Sequence, residues 1–303
     1  MAARPPLVDP HVHLWDLAHI RYPWLTPPFD ADNPNGSVEP IAVDYPLDAY
    51  LADAGGWDVR GIVHIDAGAH PDDALKESEW LQAMADDRGL PSGIVAFAAF
   101  DGPDVDSLLA RHAEHANVRG IRHIVNWHPD PARSYAAADA TTSDAWARGF
   151  ALLRNHGLSF DLQAYAGQFA HLAALFAKHP DTPVILNHTG MAIPGDPDGW
   201  GLWRRGMAAL AALPHVAVKI SGMGFTWRPW DIEQARPYVL ETIEIFGSDR
   251  AMFASNFPTD KLFGGFDQHL GAYDAITADF SDSERHALFA GNANRIYRLG
   301  LEL

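Results

Sequence analysis

The sequence predicts an α/β fold, a (β/α)8 barrel, on three observations. Short apolar runs rich in β-branched residues recur eight times behind turn signals, and helix-like stretches separate them. After the first long loop the runs begin about 25 to 40 residues apart, the length of a βα unit with a right-handed crossover. Eight such units fill about the 303 residues of the chain, as in a TIM barrel. A doubly wound open sheet is the competing arrangement, but no G-x-G-x-x-G follows the first run. No internal repeat, low-complexity tract or long charge run marks a second unit, so residues 1–303 are read as one barrel domain.

The first strand is LVDPHVHLW from Leu7. Behind it, Asp16 to Asp44, with RYPWLTPP and DNPNG, is rich in Pro, Gly and aromatic residues and long for a connection; such ordered loops often act as lids over sites. GIVHIDAG from Gly61 is the second strand, with a helical stretch from Asp72 to Asp87, and GIVAFAAF from Gly93 the third, with one from Asp104 to His115. VRGIRHIVN from Val118 is the fourth, followed by an irregular Trp127 to Thr142 and a helix from Ser143 to His156. LSFDLQAY from Leu158 precedes a helix from Gln168 to His179. TPVILNHTG from Thr182, VAVKISGMG from Val216 (with a helix from Ile232 to Phe246) and AMFASNFP from Ala251 complete the set.

With 48% hydrophobic and 20% charged residues, the composition is globular and excludes disorder and fibre. Lys and Arg number 22 against 39 Asp and Glu, a net charge of −17 that repels nucleic acid and anionic membrane surfaces. The expected partner is a small-molecule substrate; a homo-oligomer stays open. The opening MAARPPLVDP lacks a signal-peptide core and no long apolar run occurs, which gives a cytoplasmic expectation. Absent cysteine removes disulfides, thiolate metal sites and a Cys nucleophile, leaving His, Asp and Glu as strong metal ligands. The 16 histidines are the feature to explain.

Barrel sites form at the C-terminal ends of the strands. Those ends carry His11 and His13, His64 and Asp66, Arg122, Asp161 and Gln163, Asn187 and His188, Lys219 and Ser221, and Ser255 and Asn256. Residues i and i+2 share a strand face, so His11/His13, Asp161/Gln163 and Lys219/Ser221 each offer two inward groups. Two imidazoles so spaced can chelate one divalent ion or flank one substrate oxygen.

DPHVHLWD, GIRHIV, FDLQAY, ILNHTG, VKISGMG, MFASNFP and the closing GNANRIYRL occur in that order. Together they resemble the amidohydrolase-2 branch of the amidohydrolase superfamily, within it the sugar-lactonase and 2-pyrone-4,6-dicarboxylate-lactonase-like group, over nearly the whole chain. The resemblance implies a hydrolase that opens a cyclic ester by attack of water on its carbonyl. His11 and His13 take the place of the strand-one pair, His188 that of the strand-six histidine, and Arg122 that of an arginine holding a substrate carboxylate or carbonyl. His64, Gln163, Lys219 and Trp15 are placed beside Arg122 as substrate contacts.

The strand-eight acid of the group aligns with Asn256, and a neutral amide cannot serve as a general base. Asp260, His188 and Asp66 are the candidates to take that role, Asp260 being the nearest carboxylate. A metal is equally affected: His11 and His13 remain for one divalent ion, Zn or Mn, but two histidines with neutral amides hold it weakly. Without it, His11, His13 and His188 would donate hydrogen bonds to the carbonyl oxygen. Two competing functions follow, a metal-dependent non-oxidative decarboxylase and a barrel that binds without turnover.

Each residue also has a structural reading. Arg122 could pair with Asp161, Lys219 could form a barrel ion pair, and His64 could be a satisfied core histidine. His123 is expected to face the helices, and His112, His115, His171, His179 and His286 to be solvated. Trp15, Tyr22, Trp24, Trp127, Trp200, Trp203, Trp227 and Trp230 either stack on a ring substrate or pack loops down.

Overall fold

The computed structural model of the chain describes residues 4–29 and 34–303, so positions 30–33 of the long loop lie outside the described residues. Eight strands follow the predicted runs: β1 Leu7–Val12, β2 Val59–Ile65, β3 Gly93–Phe97, β4 Val118–Ile124, β5 Ser159–Gln163, β6 Val184–Leu186, β7 Val216–Ile220 and β8 Ala251–Phe253. They pair in sequence order and in parallel. Asn256 N–H donates to the His11 carbonyl at 2.9 Å and His13 N–H to that of Phe257 at 2.8 Å, which closes β8 onto β1. This is a (β/α)8 barrel and not an open sheet. Parallel strands covered on both faces read as near-continuous apolar runs, which is why their sequences announce them.

The helices are α1 Leu47–Asp53, α2 Ala74–Arg88, α3 Val105–Ala113, α4 Asp144–Leu152, α5 Phe169–Phe176, α6 Gly199–Ala211, α7 Met223–Thr226, α8 Ile232–Phe246, α9 Phe266–Ile276, α10 Asp282–His286 and α11 Asn292–Ile296. Local chemistry sets their ends. Asp231 and Gln234 cap the start of α8 reciprocally, and Gly89, at φ 74°, stops α2 in the left-handed region that glycine enters without penalty.

One apolar core lies between strands and helices; a second fills the barrel itself, with Val8, Val63, Ile65, Val95, Ile185, Ala217 and Met252 facing Ala290, Ala293 and Tyr297 from the C-terminal segment. That segment plugs the bottom. Leu301 covers the start of β2 closely, its side chain 2.5 Å from where a Cβ on Gly61 would stand.

The interior layer also aims the first-strand histidines. Regular alternation would put Val8 and Val12 on one face, yet Val8 joins the barrel interior and Val12 the outer core. Pairing with β2 shifts register between Asp9 and Val12, and this irregularity turns His11 and His13 toward the axis. Asp9, buried between β1 and β8, accepts from the His11 N–H at 3.2 Å, the Ser255 N–H at 3.0 Å and the Tyr50 hydroxyl at 3.0 Å, which holds the bent strand.

Candidate active site

A cavity of about 390 Å³ opens at the C-terminal mouth of the barrel. His13, Arg122, Gln163, His188, Asn256 and Thr259 give it polar groups, while Trp24, Ile124, Tyr135 and Phe225 supply an apolar wall. The long loop is pinned at its base by reciprocal backbone bonds between Trp15 and Tyr45. It is clamped over the cavity where Trp24 Nε1–H donates to the Ala67 carbonyl at 2.7 Å. Gly68 lets the indole lie flat there, since a Cβ would stand 2.9 Å from Trp24 Nε1.

Hydrogen-bond chemistry assigns the imidazole protons. Lys219 Nζ lies 3.4 Å from His11 Nδ1 and has only donors, so Nδ1 accepts and Nε2 carries the hydrogen. That buried Nε2–H has no partner. His13 Nδ1 faces the Ile65 carbonyl at 2.7 Å and must donate, while its Nε2 meets Asn256 Oδ1 at 3.2 Å. Asn256 Nδ2 in turn donates to Asp260 Oδ1 at 2.8 Å, and the other Asp260 oxygen accepts from the Gly222 N–H at 3.3 Å. The amide thus joins an imidazole to a buried carboxyl. As oriented it suits a protonated His13 facing an ionised Asp260; with the amide turned by half a turn, a neutral His13 accepts from it and Asp260 holds the proton.

His188 Nδ1 lies 3.0 Å from Ser221 Oγ, which leaves Nε2 for the cavity. His188 and Asn256 both sit at positive φ, 53° and 57°, a region costing about 1–3 kcal/mol that persists where surrounding packing holds it. The rings of His11 and His188 are 4.5 Å apart and those of His11 and His13 4.9 Å. Burial first, then the Lys219 charge at His11 and the Arg122 charge at His13 and His188, hold all three well below the usual imidazole value. Burial raises the Asp260 carboxyl to about 7, against the opposing bonds from Asn256 and Gly222.

The remaining expected residues divide. Gln163 reaches the cavity wall and accepts from Arg122 at 3.2 Å. Arg122 pairs with Asp66, Nε to Oδ2 at 3.2 Å, rather than with Asp161. Lys219 is withdrawn from the wall into an ion pair with Asp161, whose two oxygens also accept from the Tyr297 hydroxyl. His64 is a core histidine: its Nδ1 accepts from the Leu14 N–H at 3.1 Å and its Nε2 faces Glu77 at 3.8 Å. Trp15 packs under the loop against Trp24 and Tyr45 and bonds the Val43 carbonyl. His11 and Asp260 are buried just off the wall, behind His188 and Asn256. His123 faces the helices as expected, accepting from Trp146 Nε1 at 3.1 Å. His112, expected to be solvated, is buried between Ser78 Oγ and the Phe97 carbonyl, because α3 turns that face onto α2. Tyr135, in a loop, and Phe225, in the short helix α7, carry no distinguishing pattern in the sequence, where each is an isolated aromatic outside the strands.

A divalent ion needs lone pairs from His and carboxylates. Here the Lys219 amine abuts His11 Nδ1 at 3.4 Å, and a neutral amide, Asn256, stands at the end of β8 in place of a carboxylate ligand. Among the described residues no three His, Asp or Glu side chains converge as a ligand set. The residues present do not fit a tightly held metal ion.

A closed parallel barrel with imidazoles and a buried carboxyl at its C-terminal mouth defines a barrel hydrolase. Residues 8–299 match the amidohydrolase family, and the chain belongs to it as an enzyme. It is 45% identical over 296 residues to the uncharacterized protein y4mH of Sinorhizobium fredii, covering 97% of this chain and 98% of the relative. It is also 25% identical to an L-fucono-1,5-lactonase of Burkholderia multivorans, over 96% of each chain. A crystal structure of an amidohydrolase from Burkholderia multivorans with bound zinc superposes with a TM-score of 0.79 at 25% identity, over 97% of this chain and 99% of that one. No helix among the described residues is long and apolar enough to cross a membrane.

Proposed function

We propose that this amidohydrolase opens a small cyclic ester, a lactone, by attack of water on the ring carbonyl. The observation that carries the reading is the line His13, Asn256, Asp260, running from the cavity wall into the protein behind it, with His188 and Arg122 beside it. It supplies a base and oxyanion donors around one point, which is what acyl transfer to water requires. The lactonase name of the Burkholderia relative supports the same class.

With Asp260 ionised and the Asn256 Nδ2 turned to it, the His13 Nε2 lone pair has no donor on it and takes the proton from water as the water oxygen bonds to the carbonyl carbon. The new Nε2–H is then held by Asn256 Oδ1, and the imidazolium charge faces the Asp260 carboxylate across the amide. Asp260 is thus a positioning residue. In the tautomer with Ser221 Oγ donating to His188 Nδ1, the Nε2–H of His188 and a free Arg122 N–H serve the developing oxyanion. Collapse of the tetrahedral intermediate breaks the ring C–O bond, and the His13 proton passes to the leaving alkoxide to give a hydroxy acid.

A panel of aldonolactones and aromatic-pathway lactones, assayed with and without Zn²⁺ or Mn²⁺, tests this. Hydrolysis without added metal is expected, with His13→Ala lowering kcat by about 10²–10⁴-fold and His188→Ala by about 10²–10³-fold. A panel left intact under every condition overturns the reading.

A further inference from the structure

Resting on the lactonase reading, we infer that the cavity selects lactones bearing no ionised group, and that Asp66 sets this selection by holding the Arg122 guanidinium from behind. Arg122 is the only charged side chain among the described residues of the wall. Its Nε donates to Asp66 Oδ2 at 3.2 Å, one terminal nitrogen donates to the Asp66 carbonyl, and the other to Gln163 Oε1 at 3.2 Å. Asp66 is itself buried and absent from the wall, and its second oxygen accepts from the Gly68 N–H at 2.9 Å. The guanidinium charge is therefore matched before substrate arrives. Its unused N–H groups still bond a neutral carbonyl or hydroxyl oxygen.

A substrate carboxylate entering here would place a second anion against one cation, and a buried charge without its own partner is strongly disfavoured. Among the described residues no other cation lines this wall to match it. Lys219 is committed to Asp161 and Arg133 to Asp196, and Arg228, whose nitrogens bond the Gly224 and Pro34 carbonyls rather than a carboxylate, lies in the neighbouring cleft and off this wall. The apolar faces of Trp24, Ile124, Tyr135 and Phe225 favour a ring with an uncharged face, and the net charge of −17 opposes approach of anions.

The test compares kcat/KM for a neutral δ-lactone and its ring-carboxylated counterpart in wild type, Asp66→Asn and Arg122→Gln. Wild type is expected to prefer the neutral lactone by at least about tenfold, mainly through KM. Asp66→Asn, which releases the Arg122 charge at nearly unchanged shape, is expected to narrow or reverse that ratio by at least about tenfold. Should Asp66→Asn fail to fold, Arg122→Gln carries the test: it is expected to widen the preference for the neutral lactone. Equal or better turnover of the carboxylated lactone by wild type overturns the inference and leaves the lactonase reading standing. An unchanged ratio in the folded variants removes the role given to Asp66. Hydrolysis of neither substrate, nor of any lactone in the panel, overturns the lactonase reading and this inference with it.

Discussion

Asp260 is a carboxyl surrounded by protein, and burial, partly offset by donors from Asn256 and Gly222, lifts it from 3.8 to about 7. The folded chain therefore keeps a proton that the unfolded chain loses, so the stability this group contributes is full below 3.8 and is lost as pH rises through about 7. Asp260→Asn is expected to flatten the fall in Tm over that window, the slope rather than the absolute Tm being the readout. Activity has the opposite sign: ionised Asp260 supports the His13 imidazolium, so kcat/KM is expected to rise through pH about 7 in wild type and to lose that limb in the variant. Asn256→Asp would set a second carboxylate where an amide now donates to Asp260 at 2.8 Å. Without added metal, this variant is expected to hydrolyse lactones more slowly than wild type, with a Tm deficit that widens from pH 6 to 8 as the like charges ionise; a faster variant would show that wild type lacks its base.

At the scale of elements, close approach decides more than propensity does. Helix α4 lies so near the end of β3 that a Cβ on Gly149 would stand 1.9 Å from the Phe100 carbonyl oxygen, a backbone atom that cannot swing aside. Gly149→Ala is expected to destabilise by about 1–3 kcal/mol or more in denaturant titration, with the site intact in the folded fraction. The eight strands were legible because each is a local apolar run behind a turn. The bend within β1 was not, although it aims His11 and His13: a register shift depends on the partner strand. Helix ends also move, the predicted Gln168 to His179 forming α5 only over Phe169–Phe176 with turns on either side.

Across the whole molecule, the barrel interior is layered, apolar at the plugged bottom and polar at the mouth, and the Lys219–Asp161 pair with Tyr297 is the seam between them. This ties β5, β7 and the end of the C-terminal segment to one buried charge pair. Lys219→Met alone leaves Asp161 uncompensated and is expected to cost about 3–5 kcal/mol. Replacing both, as Lys219→Met with Asp161→Leu, is expected to recover part of that loss in thermal or urea unfolding. Equal losses in the single and double variants would show that packing, not charge, is what the pair contributes.

What the sequence by itself determined is everything carried by short-range pattern: eight βα units, polar residues at the strand ends, the H-x-H pair, His188, Arg122, and an amide, Asn256, where the resemblance implies an acid. What only the tertiary structure decided is who partners whom. His13 and Asn256 are 243 positions apart, Arg122 chose Asp66 over Asp161, Lys219 withdrew from the cavity, and Trp24 and Tyr135 from two loops met Phe225 of helix α7 there. Hydrogen bonds and ion pairs act over a few ångströms. Which side chains come within that reach is set by barrel closure and register, neither of which is written in any one segment.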